Sequence, residues 1–99
     1  MPRPKRETPA QLTPGWPTTE SADPIAEVAR KFVLALLDAV GERSVRSVAK
    51  DAGVTHNSLA SILAGHTWPD LATIAKLERG VDAALWPPHG GESGSGHTP

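Results

Sequence analysis

The chain has 99 residues, 10 Lys and Arg against 11 Asp and Glu for a formal net charge of -1, and no cysteine. These values bound it to one small domain without disulfides and exclude a thiolate metal centre. They also argue against the basic excess that most nucleic-acid binders carry, so the placement of charge has to be read locally.

In chain order, residues 1 to about 22 contain Pro2, Pro4, Pro9, Pro14 and Pro17 with few apolar side chains and no helical or strand period. The expectation is a disordered tail, because too little surface is available to offset the entropy of ordering it. Arg3, Lys5 and Arg6 are followed by prolines and threonines, not by a hydrophobic run, so no signal-peptide organisation is read here. No apolar stretch of about 18 residues is present to span a bilayer, and the absence of cysteine fits an intracellular protein, so the expected location is the cytoplasm, at the nucleoid.

Asp23 and Pro24 form a helix start, with Asp as cap and Pro at the first helical position, where its missing N–H costs nothing. The helix is expected to run to Val40 and stop at Gly41, with Ile25, Val28, Ala29, Phe32, Val33, Ala35, Leu36, Ala39 and Val40 on one broad apolar face. Leu34 and Leu37 spill beyond that face, either as ordinary exposed leucines or as a patch for self-association.

The run from Ser44 to Gly65 reads as two short helices hinged at a glycine. Val45, Val48, Ala49 and Ala52 share one side of the first; Gly53 supplies a left-handed turn; Val54 plugs the turn; Thr55 caps a second helix that carries Leu59, Ile62 and Leu63. Ala49 is small where two such helices approach each other, and the polar side of the second helix is left with His56, Asn57, Ser58 and Ser61. This is the arrangement of a DNA-binding helix-turn-helix. Between Arg43 and Gly65, Arg43, Arg46 and Lys50 face Asp51 alone, so the stretch is mildly basic although the chain is not.

A loop at His66, Thr67, Trp68 and Pro69 precedes Asp70, which is placed to cap a helix from Leu71 to about Arg79 with Leu71, Ile74, Ala75 and Leu77 as its apolar stripe. Gly80 is expected to end it, and Asp82 to cap a last short turn through Ala83, Ala84 and Leu85 to Trp86, where Pro87 and Pro88 stop it. From Pro87 onward the Gly/Ser/Pro composition reads as a second disordered tail, leaving a folded unit of about 23–86. The expected fold class is all-α, with five helices and no strand.

These residues together resemble the lambda-repressor-like family, the Cro and phage-repressor type of helix-turn-helix domain. The resemblance covers about Ile25 to Trp86 and rests on Val48, Ala49, Gly53, Val54, Leu59 and Ile62, the Ala64-Gly65 exit, Pro69, and the helix from Leu71 to Leu77 before Gly80-Val81-Asp82 and Leu85-Trp86. It implies a compact five-helix bundle whose third helix enters the major groove of double-stranded DNA, as a homodimer on a near-palindromic operator, in a prokaryotic or phage-type transcriptional regulator. Carried over by position, His56, Asn57 and Ser61 are candidates for base contacts, with the Asn57 amide suited to adenine N6 and N7. Arg46, Lys50, Thr55, Ser58, His66 and Thr67 are candidates for phosphate contacts.

Two departures from the family pattern stand out. Val45 occupies a position where many relatives have a long polar residue, and the recognition helix has no Arg or Lys. Both leave a share of affinity to dimerisation or to Arg3, Lys5 and Arg6 acting as a flexible arm. The competing reading is a protein-interaction module of the same fold, an antitoxin or adaptor. His56, His66, His89 and His97 are too scattered for a metal site, and no phosphate loop, nucleophile elbow or carboxylate pair indicates an enzyme, a cofactor or a small-molecule ligand. Trp68 and Trp86, each before a proline, are expected to plug the edges of the core; Trp16 either stays in the tail or docks near Leu34 and Leu37.

Overall fold

The structure is a computed structural model and describes residues 7–86. Four helices follow one another: α1 (Pro24–Val40), α2 (Val45–Ala52), α3 (His56–Leu63) and α4 (Leu71–Val81), with no strand among the described residues. Each helix starts where the capping chemistry dictates. Asp23 accepts from the Ile25 and Ala26 N–H groups at 2.9 Å, and Ser44, Thr55 and Asp70 accept from Ser47, Ser58 and Thr73 at 3.0, 3.0 and 2.7 Å. In each case a short side chain satisfies a donor that the first turn leaves without an intrahelical partner.

The core sits where the apolar faces meet. Phe32, Val33, Leu36 and Val40 of α1 pack with Val48, Ala49 and Ala52 of α2, Leu59 and Ile62 of α3, Ile74 and Leu77 of α4, and Leu85 beyond it. Gly53 has φ 77° and ψ 30°, and the Gly53 and Val54 N–H groups both donate to the Ala49 carbonyl. This left-handed residue closes α2 and turns the chain into α3.

The structure departs from the sequence expectations in several places. First, the fifth helix does not form among the described residues. Asp82 adopts a left-handed conformation (φ 55°, ψ 47°) and ends α4 instead of opening a new turn, and Glu78 Oε2 accepts from the Leu85 and Trp86 N–H groups at 2.7 and 3.1 Å, so these donors are bound without a helical turn. Second, Leu85 is the residue that plugs the core, while Trp86 is 53% exposed. Third, Gly80 lies inside α4, where it serves packing: a Cβ there would stand 2.7 Å from the Cα and Cβ of Ala52. Ile25 and Leu71, expected on apolar faces, are instead exposed, as first-turn residues at the ends of those stripes.

Fourth, residues 7–22 are laid against the bundle as a series of turns, with Pro9 and Thr13 buried. Trp16 packs on the core, Arg30 donates to the Pro17 carbonyl at 3.2 Å, and the Ser21 N–H donates to Glu27 at 2.8 Å. A segment with no period can still pack when an indole supplies apolar area and prolines reduce the conformational freedom lost on ordering. Trp16 docks at the end of α3, not at Leu34 and Leu37, which stay 38% and 41% exposed.

The fastening of this segment carries a pH dependence. Glu27 holds Arg30 through two hydrogen bonds of 2.7 and 2.6 Å, and that guanidinium, helped by the Ser21 N–H, keeps the carboxyl at about 2 against an ordinary 4.5. The unfolded carboxyl takes up its proton near pH 4.5 and the folded one only near pH 2. The pair's contribution is therefore complete above that upper value and is lost as pH falls through the interval. Glu27→Gln is expected to cost about 1 to 2 kcal/mol at neutral pH and to flatten this acid limb, as followed by urea unfolding at a series of pH values.

Candidate nucleic-acid interface

The α2–α3 pair presents the first turn of α3 to solvent. Asn57 and Ser58 are exposed, and His56 and Ser61 are half-buried on the same helix, whose other side carries the buried Leu59 and Ile62. Thr55 spends one hydroxyl lone pair on the Ser58 N–H and keeps its own O–H for another acceptor. Ser61 Oγ lies 2.5 Å from Thr67 Oγ1, so the structure joins an expected base reader to an expected phosphate contact. One of the two hydroxyl protons is used in that bond, and the other is left for a ligand.

Next to this face lies an open depression of about 470 Å³ between α3 and the start of α4, bordered by Asn57, Ser58, Ser61, Thr67, Asp70 and Thr73. Asp70, by its sequence position only a helix cap, is a member of this border as well. Hydrogen bonds from the Thr73 backbone and side chain hold its carboxyl below the usual range, so it is an anion at neutral pH on the rim of this surface. Such a carboxylate repels phosphate but can accept from cytosine N4. The signal available in the sequence was Asp70 three residues before Thr73 at a helix start.

The remaining candidates are distributed more widely. Arg46 is exposed on α2, and His66 and Thr67 are exposed in the loop that leaves α3. Lys50 borders a different depression, of about 290 Å³, together with Lys76 and Arg79 of α4. Arg43, counted among the cations of this stretch, is ion-paired with Asp51. Arg3, Lys5 and Arg6 lie outside the described residues; Glu7, the first of the described residues, accepts at its carbonyl from Trp68 Nε1 at 2.8 Å. Trp68 also borders the depression beside Asn57. No group of three His, Cys, Asp or Glu side chains gathers to hold a metal among the described residues. No helix among them is long and apolar enough to cross a membrane.

No family model matches the chain, and no curated protein does. Solved structures do match. The clp gene regulator ClgR from Corynebacterium glutamicum is similar at 15% identity and a TM-score of 0.52, over 59% of this chain and 78% of that one. A second structure of that regulator gives the same identity and TM-score, with 64% of its chain covered. The SOS-response transcriptional repressor LexA from Eubacterium rectale is similar at 16% identity and a TM-score of 0.53, over 73% of this chain and 93% of that one. At these identities the likeness is one of fold. The capped four-helix arrangement around the Gly53 turn has the lambda-repressor-like helix-turn-helix fold.

Proposed function

We propose that this chain is a sequence-specific transcriptional regulator that reads the major groove of double-stranded DNA with α3. The observation that carries the reading is the solvent-facing first turn of α3, with Asn57 and Ser58 exposed on a helix whose opposite side is locked into the core by Leu59 and Ile62. His56, Asn57 and Ser61 read base edges. Arg46, Thr55, Ser58, His66 and Thr67 meet phosphates, and Lys50 joins them only if the duplex also reaches the depression that it shares with Lys76 and Arg79. A homodimer on a near-palindromic site, acting in the cytoplasm, completes the proposal, with Arg3, Lys5 and Arg6 as an arm that adds phosphate contacts.

Selection of bound sequences from a random DNA pool, followed by titration of the selected duplex at several salt concentrations, tests it. A preferred sequence and a steep fall of affinity with salt are expected. Arg46→Ala is expected to weaken every sequence alike and to reduce the salt slope by about 1, since one phosphate contact is removed and no base contact. A second reading, a protein-interaction module, is favoured by the neutralisation of Arg43 by Asp51 and by the ionised Asp70 at the rim. A protein partner that survives nuclease treatment, with no sequence preference in the pool, would decide for that module.

A further inference from the structure

The exit of α3 is held by the segment that precedes the bundle. Trp16 Nε1 donates to the Leu63 carbonyl at 3.0 Å, the Ala10 N–H donates to the Gly65 carbonyl at 2.9 Å, and Trp68 Nε1 donates to the Glu7 carbonyl at 2.8 Å. These three bonds fall on the six residues that lead out of the helix. Gly65 is buried beneath the indole: a Cβ there would lie 2.7 Å from Trp16 Cε2, 2.8 Å from Trp16 Nε1 and 2.9 Å from the Ala10 Cβ. The other end of the segment is fastened to α1 through Arg30 at Pro17 and Glu27 at Ser21. Residues 7–22 thus form a strap from α1 to the end of the recognition helix.

The exit is also where part of the candidate surface is set. The Gly65 and His66 N–H groups donate back to the Ile62 and Ser61 carbonyls at 3.0 Å each, and Thr67 bonds to the Ser61 hydroxyl. The start of α3 is held differently, by the Thr55 cap and the Gly53 turn. We propose that Trp16 is a positioning residue: through the strap it fixes the Ser61–Thr67 end of the recognition surface, while the Asn57 end is fixed independently by the turn. The proposal rests on the reading of α3 as a DNA reader.

The test uses the full chain and two variants, Trp16→Phe, which keeps a ring but removes the N–H, and Trp68→Phe, which releases Glu7 at the rim. Amide exchange at Gly65 and His66 is expected to rise roughly fivefold to tenfold in Trp16→Phe, as for the loss of one net hydrogen bond, while the Phe32 and Leu36 amides stay within about twofold. A smaller rise at the same amides is expected in Trp68→Phe. In pool selection, preference is expected to relax at the base pair next to Ser61 and to persist at the one read by Asn57.

Unchanged exchange at Gly65 and His66 in both variants, or equal acceleration of exit and core amides, overturns the proposal. Faster exit exchange with an unaltered sequence preference overturns it too. A wild-type chain that selects no DNA sequence instead sinks the reading of α3, and the exchange comparison still decides whether the strap holds the exit.

Discussion

Gly80→Ala is expected to lower the unfolding free energy by about 2 kcal/mol, although alanine is favoured over glycine by about 1 kcal/mol inside a helix. The sign is set by where the new methyl goes. It would stand 2.7 Å from the Cα and Cβ of Ala52 and 2.9 Å from the Ala52 nitrogen, so it meets the backbone of α2 and not the flexible end of a side chain. Relief requires α2 and α4 to move apart, which loosens Ala52, Ile74 and Leu77 in the same core. Gly53→Ala gives the contrast: beyond its chain neighbours no atom lies within 4 Å of the new Cβ, and only the left-handed backbone at φ 77° resists it. That substitution is expected to cost about 1 kcal/mol. Urea unfolding of the two variants measures the difference, and a Gly80→Ala chain as stable as the wild type would show that the helices can separate without loss.

Gly80 also shows where sequence reading stops. A glycine after an apolar stripe is consistent with a helix stop or with a close helix crossing, and only the position of Ala52, 28 residues earlier in the chain, tells them apart. Features that depend on neighbours in sequence were legible. Asp23, Ser44, Thr55 and Asp70 each cap a helix, Gly41 and Gly53 end two, and the 3.6-residue period of α1 picks out Phe32, Val33, Leu36 and Val40 as core. Features that depend on contacts across the fold were not. The pairing of Arg43 with Asp51, the bond between Ser61 and Thr67, and the docking of Trp16 on the α3 exit all join residues that no local pattern relates. The strap is the clearest case, because a proline-rich stretch without a period has the composition of a tail and becomes ordered through a few long-range bonds.

The same division explains the candidate site. The helix-turn-helix and the outward face of α3 follow from local signals, whereas the electrostatics of that face depend on tertiary pairing. Arg43 is paired with Asp51, Asp70 is an anion, and Lys50 borders a separate depression together with Asp51, Lys76 and Arg79. The candidate surface is consequently polar and close to neutral, so on the proposed reading hydrogen bonding has to supply more of the discrimination than charge does.

Asn57→Ala is accordingly expected to relax preference at a single base pair by about 1 to 3 kcal/mol, which is a loss of roughly 5-fold to 150-fold in discrimination there. The amide presents a donor and an acceptor on two neighbouring coplanar atoms, so it can pair with adenine N6 and N7 together, which a single hydroxyl cannot, and its exposure leaves it free of the core. Stability is expected to stay within about 0.5 kcal/mol of the wild type, since an exposed side chain is truncated and the Thr55 cap is retained. The salt slope is expected to stay unchanged because no charge is removed, which separates this variant from Arg46→Ala. Competition titrations of wild-type and variant chains against the selected duplex and its single-base substitutions, at one salt concentration, measure the effect. A loss of equal size on every duplex would assign Asn57 to the backbone of the DNA and leave the base reading to His56 and Ser61.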